Sequence, residues 1–167
     1  MISPKKNILL LHSSNDLYGA SKIFLQLIDL FLTNGFNLYV VLPEKGKLDD
    51  FLNKKDITVS YHELGVLRKK YLNPLGLINR LVTNIKAIKF LSNYIKTRSI
   101  DLVYTNTSTI LSGGISAKIN GVSSLFHIHE IPKGNWFYEI ISGKIINCYS
   151  SKVLTVSNSV KKHWLKY

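Results

Sequence analysis

Residues 6–32 read KNILLLHSSNDLYGASKIFLQLIDLFL, and this stretch decides the fold. Its first part, residues 8–12, is a short apolar run closed by a histidine, which is typical of a strand buried on both faces. Residues 13–19 are polar and end in one glycine. From residue 23 to residue 31, apolar side chains recur at helical spacing. A strand, a glycine-containing loop and a helix form the unit with which an open α/β sheet offers backbone N–H groups to an anion, although many such units bind nothing.

Length and composition favour one folded and strongly basic domain. The chain has 167 residues, and 46% of them are hydrophobic, which is sufficient for a sizeable core. Its formal net charge of +12 predicts attraction to phosphate-bearing partners such as nucleotides, anionic lipid headgroups or nucleic acid. Cys148 is the only cysteine, so no internal disulfide can form. No segment approaches the roughly 18–20 apolar residues of a membrane span and no signal peptide is visible, so we expect a cytoplasmic protein with at most peripheral membrane contact.

The rest of the chain repeats the pattern of the opening stretch. Apolar segments of strand length recur at residues 38–42, 57–61, 101–104, 123–128 and 152–156. Segments with helical periodicity separate them, and the longest of these helices is expected to start near Pro74. It is predicted to bury Leu77, Leu81, Ile85, Ile88, Leu91 and Ile95, and a short helix over residues 47–54 is predicted to bury Leu48, Phe51 and Leu52. The alternation predicts a doubly wound, mostly parallel Rossmann-like sheet with helices on both faces.

Three short motifs, in this order along the chain, resemble those of one known family. They are DLYGASK at residues 16–22, HIHE at residues 127–130 and LTVSNSV at residues 154–160. Together they resemble the N-terminal half of glycosyltransferases with the GT-B fold, in particular the large retaining family four. That family usually has a Gly-Gly-Ala-Glu loop at the first motif, where this chain has Tyr18, Gly19, Ala20 and Ser21. Only Gly19 therefore supports close approach of the backbone to a ligand.

The resemblance implies that the first motif contacts a nucleotide-sugar donor. Gly19 and Ala20 would bring the loop backbone and the helix N-terminus close to a phosphate oxygen. Lys22, one helical turn further on, would add positive charge, although a solvated lysine is the more ordinary interpretation of such a residue.

The second motif supplies the candidate catalytic residues, His129 and Glu130. His129 follows a predicted strand at the carboxyl edge of the sheet, where ligands bind in open α/β folds. The resemblance places it against the transferred sugar and near the acceptor, with Glu130 orienting either group. Strand alternation puts His127 on the same face as His129 and Glu130 on the other. Packed histidines without a functional role remain an alternative, and the absence of a cysteine partner disfavours a zinc site.

Three polar residues at other strand ends are candidate acceptor-binding groups. Thr105 and Asn106 follow the fourth predicted strand, and Ser157 follows the sixth. Each would line the same crevice if the strand ends converge. Simple capping of the following helix is the alternative for each of them.

A basic segment with no acidic residue lies between Glu63 and Asp101. The candidate membrane-contacting residues in it are Arg68, Lys69, Lys70, Arg80, Lys86 and Lys89. Part of the segment is an amphipathic helix, and basic amphipathic helices can lie on anionic membranes. A solvated helix face is the alternative. No recognised nucleic-acid motif is present, so we expect no nucleic-acid partner.

The resemblance implies an acceptor-side domain that helps to move a sugar from a nucleotide sugar to a saccharide or polyprenyl-linked acceptor in bacterial surface polysaccharide synthesis. We expect residues 1–167 to be one domain of a longer protein whose donor-binding C-terminal domain lies outside this sequence, and to be inactive alone. No cofactor or metal is expected besides the sugar donor. The alternatives are a separate, non-catalytic subunit that recruits membrane or acceptor for a catalytic chain, and a generic nucleotide-binding α/β protein. The absence of a G-x-G-x-x-G or P-loop pattern disfavours the last.

Overall fold

The computed structural model describes residues 5–55, 57–68, 71, 73–132 and 136–167, apart from the side chain of Phe137. Within them the strands are β1 (Asn7–Leu11), β2 (Asn37–Leu42), β3 (Thr58–Tyr61), β4 (Leu102–Thr105), β5 (Ser123–Ile128) and β6 (Lys152–Thr155). The helices are α1 (Gly19–Thr33), α2 (Asp49–Leu52), α3 (Pro74–Thr97), α4 (Ser112–Ile119), α5 (Trp136–Tyr149) and α6 (Asn158–Trp164).

All six strands are parallel and lie in the order β3-β2-β1-β4-β5-β6. Alternate residues of β1 belong to two hydrophobic clusters, one on each face of the sheet. Leu9 and Leu11 pack with α3 residues on one face of the sheet, whereas Ile8 and Leu10 pack with α1 residues on the other. Helices therefore cover both faces, as is required when a parallel sheet is apolar on both sides. The predicted doubly wound Rossmann-like sheet is confirmed.

The strand order contains one reversal, between β1 and β4. The chain builds outward from β1 to β3, returns through α3, and continues outward in the other direction from β4 to β6. The loops that leave β1 and β4 then diverge to opposite faces, so a crevice opens at the carboxyl edge between them. This edge is where the candidate site residues were expected.

The predicted buried stripe of α3 is wrong in its first half. Leu77, Leu81 and Ile85 are exposed, while the predicted Leu91 and Ile95 are buried. The first half instead buries the small side chains of Thr83 and Ala87. α3 packs against α4, which is rich in glycine and serine, and Ser116 Oγ of α4 donates to Ile88 O of α3 at 3.3 Å. Small residues allow two helices to approach closely, but they give no signal in a hydrophobic pattern. Phe51 in α2 was also predicted inward and is 43% exposed.

One consequence is an exposed apolar surface on the first half of α3. We call it the α3 apolar face, and its members are Leu75 (80% exposed), Ile78 (61%), Leu81 (63%), Val82 (47%) and Ile85 (58%). Lys86 and Lys89 are exposed next to it, and Lys89 continues the helical spacing of Ile78, Val82 and Ile85. The solvent side of this helix therefore changes from apolar to basic along its length.

Candidate functional site

Three polar side chains meet at the crevice, each from the residue that directly follows a strand. His12 is the first residue after β1, Asn106 the first after β4 and His129 the first after β5. The register of the parallel strands aligns Leu11 with Thr105 and Thr105 with Phe126, so the strand ends lie at one edge of the sheet. The sequence-based expectation that residues near 12–19, 105 and 129 converge is confirmed by this geometry.

These residues belong to one chain of hydrogen bonds, which we call the crevice chain: Asp16, Ser21, His12, Asn106 and His129. Ser21 Oγ donates to Asp16 Oδ1 at 3.0 Å, and His12 Nε2 lies 3.0 Å from Ser21 Oγ. Asn106 Nδ2 lies 3.2 Å from His12 Nδ1, and Asn106 Oδ1 lies 2.9 Å from His129 Nε2. The crevice chain thus connects the β1–α1 loop to the end of β5.

Burial keeps the histidines of the crevice neutral at physiological pH. His12 is 1% exposed and stacks on Phe24 with ring centroids 4.8 Å apart. Burial lowers the pKa of His12 to about 4, although the Asp16 carboxylate opposes the decrease. Burial also lowers the pKa of His129, with Glu130 acting in the opposite direction. Neutral imidazoles can act as hydrogen-bond acceptors as well as donors.

His127 lies on the same face as His129, as predicted, but in a different environment. The two rings are 4.2 Å apart, and His127 Nδ1 is 2.5 Å from the Tyr104 hydroxyl. Burial raises the pKa of Tyr104, while burial and the nearby His129 lower the pKa of His127 to about 4. The phenol therefore keeps its proton, and His127 Nδ1 is occupied within the protein whichever of the two groups donates.

The Glu130 carboxylate turns back toward the β4–α4 loop. Oε1 accepts from Thr107 Oγ1 at 2.8 Å, from Ser108 N at 2.7 Å and from Ser108 Oγ at 2.6 Å. Oε2 accepts from the backbone N of His129 at 3.1 Å. Glu130 consequently ties the end of β5 to the end of β4. Its catalytic role remains a prediction, and its contacts suit the positioning of His129 better than direct proton transfer.

The N-terminus of α1 lies open beside the crevice. No side chain caps it, and its first turn contains no acidic residue. A Cβ built on Gly19 would meet no atom within 4 Å, so the space in front of the helix is accessible. Ala20 is half-buried, and its carbonyl accepts from Asn106 Nδ2 at 3.2 Å. Lys22 is exposed in the second half of the first turn. These features favour an anion at the helix N-terminus, whereas the Asp16 carboxylate, which accepts from Tyr18 N at 3.1 Å, opposes one.

The surroundings of the three predicted acceptor-binding residues, Thr105, Asn106 and Ser157, differ from those expected. The side chain of Thr105 is fully buried and faces α4, where a Cβ on Gly113 would lie 2.6 Å from its Oγ1. Ser157 caps α6, because its hydroxyl accepts from Val160 N at 3.3 Å. The Asn106 amide is used within the protein, through His12, His129 and Ala20. The capping alternative therefore describes one contact of Ser157, whose exposed hydroxyl stays a predicted acceptor-binding group, whereas the buried side chain of Thr105 is turned toward α4.

The predicted membrane-contacting residues that the structure describes lie in three different surroundings. Arg68 lies at the crevice, where its Nη2 donates to Ser13 O at 3.3 Å. Arg80 stacks on Tyr71, with its guanidinium carbon 4.0 Å from the ring centroid. Lys86 and Lys89 are exposed beside the α3 apolar face. Lys69 and Lys70 lie outside the described residues.

The sequence-based reasoning did not single out three members of the crevice chain, His12, Asp16 and Ser21. A histidine at the carboxyl end of an apolar β1 was a usable signal, since a polar residue there is aimed at the ligand edge of an α/β sheet. Among the described residues no group of three or more His, Cys, Asp or Glu side chains is arranged to hold a metal ion. No helix in the described part of the chain is long and apolar enough to cross a bilayer.

Known structures match the fold of the whole chain. HepE of Anabaena in complex with UDP-glucose has a TM-score of 0.70 at 20% identity, over 96% of this chain and 40% of that chain. A glycosyltransferase from Rickettsia africae gives 0.68 at 21%, over 97% and 39% of the two chains. MurG of Acinetobacter baumannii gives 0.64 at 16%, over 90% and 41%. No protein-family model and no curated protein match the sequence.

These similarities establish the fold. The chain has the architecture of one domain of a GT-B glycosyltransferase, and it spans about 40% of the length of the structures that it matches. The predicted resemblance to one GT-B lobe is therefore confirmed.

Proposed function

We propose that this chain is the acceptor-side domain of a glycosyltransferase that moves a sugar from a nucleotide sugar to a lipid-linked or saccharide acceptor. One observation supports it above all: neutral His129 and the open N-terminus of α1 lie at the same crevice, at the reversal of a sheet with the GT-B fold. Similar structures contain UDP-glucose or UDP. The second lobe of such an enzyme would close over this crevice.

The residues divide the proposed chemistry between them. Gly19 and the α1 N-terminus, which no side chain caps, would stabilise the negative charge of a departing diphosphate. His129 would hold a hydroxyl of the sugar or the acceptor, because its Nδ1 has no partner among the described residues. Glu130 and Asn106 would keep its ring in place through hydrogen bonds at the backbone N and at Nε2. Holding a hydroxyl in line for attack is a large part of the acceleration in group transfer.

The test is a comparison of two histidine variants in the full-length protein. Transfer is measured with a panel of UDP- and GDP-sugars and with polyprenyl-phosphate or oligosaccharide acceptors. His129→Ala should lower kcat by about 100-fold, since a positioned proton acceptor or donor contributes on that order. The matched control is His62→Ala, because His62 stacks on Phe90 away from the crevice. Equal turnover in the two variants would contradict the role of His129, and absence of transfer with intact binding would favour a non-catalytic subunit.

The α3 apolar face supports a second part of the proposal, contact with an anionic membrane. Five large apolar side chains are exposed on consecutive turns, and Lys86 and Lys89 continue the same side of the helix. Burial of apolar side chains among acyl chains, with lysines at the headgroups, is how an amphipathic helix binds an anionic bilayer. The net charge of +12 adds long-range attraction to such a surface. A membrane-bound acceptor would then be presented at the level of the crevice.

Vesicle flotation with the protein tests the membrane contact. Binding is compared for vesicles of phosphatidylcholine alone and of phosphatidylcholine with phosphatidylglycerol. The double variant Ile78→Ser/Val82→Ser should reduce partitioning by about tenfold or more, because each side chain contributes on the order of 1 kcal/mol when buried. Lys86→Gln/Lys89→Gln should remove the preference for phosphatidylglycerol. Ile119→Ser is the control, since Ile119 is equally exposed (63%) at the end of α4. Absent binding, or equal loss in the control, would contradict the proposal.

A further inference from the structure

In each hydrogen bond of the crevice chain, the donor and the acceptor can be assigned in only one way. A backbone carbonyl can only accept, so the contact between Asn106 and Ala20 O identifies the amide nitrogen of Asn106. The amide oxygen must then be the atom that faces His129 Nε2 at 2.9 Å. An amide oxygen can only accept, which requires a proton on His129 Nε2.

The same amide also determines the state of His12. Asn106 Nδ2 can only donate, so His12 Nδ1 must be an acceptor without a proton. In a neutral imidazole the proton is then on Nε2, which donates to Ser21 Oγ. Ser21 in turn donates to the Asp16 carboxylate, and the crevice chain ends there because a carboxylate can only accept. Each proton along the chain therefore has one assigned position.

We infer that Asn106 and His12 are positioning residues that hold His129 in its Nε2–H tautomer, with the lone pair of Nδ1 available at the crevice. The group that meets this nitrogen is then a hydrogen-bond donor, which among sugar and lipid acceptors means a hydroxyl. The inference rests on the proposed function for the identity of that hydroxyl. The tautomer itself is a property of the protein and is measured without any substrate.

Burial makes the arrangement specific. Asn106, His12 and Ser21 are each 1% exposed, so no bulk water can substitute for a missing partner in the middle of the chain. The Ala20 carbonyl holds the amide against a flip, because a flipped Asn106 would place two oxygens against each other. His129 is half-buried, and its backbone N is held by Glu130 Oε2. His129 is thus fixed at its backbone and at Nε2, while Nδ1 has no hydrogen-bond partner among the described residues.

The experiment is a long-range ¹H–¹⁵N correlation spectrum of the protein labelled at its histidines, at neutral pH and without substrate. Variants at His12 and His129 assign the signals. The wild type should show both residues as single Nε2–H tautomers. A wild-type spectrum in which His129 is the Nδ1–H tautomer, a rapidly exchanging mixture or a cation would overturn the inference.

Two substitutions at Asn106 separate positioning from simple structural support. In Asn106→Ala, His129 loses the acceptor for Nε2–H, so its signals should change to those of an exchanging mixture. In Asn106→Asp, one carboxylate oxygen still accepts from His129. The other takes the place of Nδ2, so it requires a proton on His12 Nδ1 and is repelled by the Ala20 carbonyl. His129 should therefore keep its tautomer, while His12 changes to the Nδ1–H form or becomes charged. Asn120→Ala is the control, because Asn120 donates to Ser116 O at a distance from the crevice.

The outcomes distinguish this inference from the proposed function. Unchanged His129 signals in Asn106→Ala would overturn it, even if the protein transfers sugar. The expected spectra with no sugar transfer would leave the tautomer assignment in place and remove only the proposed substrate. In an active full-length enzyme, Asn106→Asp should retain more activity than Asn106→Ala. A retained dispersed amide spectrum in both variants shows that the fold is intact.

Discussion

Acid destabilisation should depend strongly on one buried histidine, His12. The pKa of His12 is lowered from 6.5 to about 4, chiefly because the folded protein buries its ring. Asp16 and Glu130 face the ring and favour its charged form, and His129 opposes it. At about 1.4 kcal/mol for each pKa unit, the difference corresponds to about 3 kcal/mol of unfolding free energy.

The sign of the change in unfolding free energy with pH follows from the protons bound by the folded and the unfolded chain. Above pH 6.5 His12 is neutral in both the folded and the unfolded chain, so its contribution to stability is complete. As the pH falls below 6.5, the unfolded chain binds a proton that the folded chain does not bind until about pH 4. The free energy of unfolding therefore decreases between pH 6.5 and about 4. Between pH 7 and pH 4.5 the loss from His12 alone should be about 2 kcal/mol.

The assay is urea unfolding at pH 7 and at pH 4.5, followed by circular dichroism. In His12→Gln the difference between the two pH values should be smaller than in the wild type by about 2 kcal/mol. Comparing differences cancels the cost of the substitution itself. The control is Asn120→Ala, which removes a hydrogen bond to Ser116 O and no titratable group, and which should keep the wild-type difference. Identical pH dependence in His12→Gln and the wild type would refute the reasoning, as would titration of His12 near pH 6.5 in the folded protein.

Three further substitutions test packing and capping. Gly113→Ala should destabilise the fold by about 1–3 kcal/mol in urea, because the new Cβ would lie 2.5 Å from Leu11 Cδ1 and 2.6 Å from Thr105 Oγ1. Gly19→Ala, where no atom lies within 4 Å, should leave stability unchanged, and equal effects of the two would contradict this packing. Ser157→Ala should cost about 1 kcal/mol by removing the cap of α6, and a loss near zero would show that the cap contributes nothing.

The sheet was predictable from the sequence because its signals are local. Buried parallel strands are continuous apolar runs, and each run in this chain is bounded by a glycine, a proline or a polar loop. The crevice was predictable as well, since the carboxyl ends of parallel strands share one edge. His129 was placed there correctly on this basis. The fold and the position of the site thus follow from rules that need no knowledge of side-chain contacts.

The parts that sequence did not predict depend on pairs of residues far apart in the chain. Asn106 was expected to meet an acceptor, but its amide is occupied by His12, which is 94 positions away. The hydroxyl and amide donors of the β4–α4 loop that hold the Glu130 carboxylate were likewise not predictable, and the catalytic role of Glu130 stays a prediction. The exposed half of α3 was assigned to the core because small residues at a close helix contact carry no hydrophobic signal.

The crevice and the α3 apolar face lie at the same edge of the sheet. α3 leads to the start of β4 and so runs against the strands, which places its first turns at the carboxyl edge. The preceding segment crosses that edge, since Leu67 N donates to Thr109 O at 3.1 Å and Arg68 reaches Ser13. The α3 apolar face covers residues 75–85, a length of about 17 Å at 1.5 Å per residue. Under the proposed membrane contact, a bilayer that buries this face would therefore meet the domain on the side where the crevice opens.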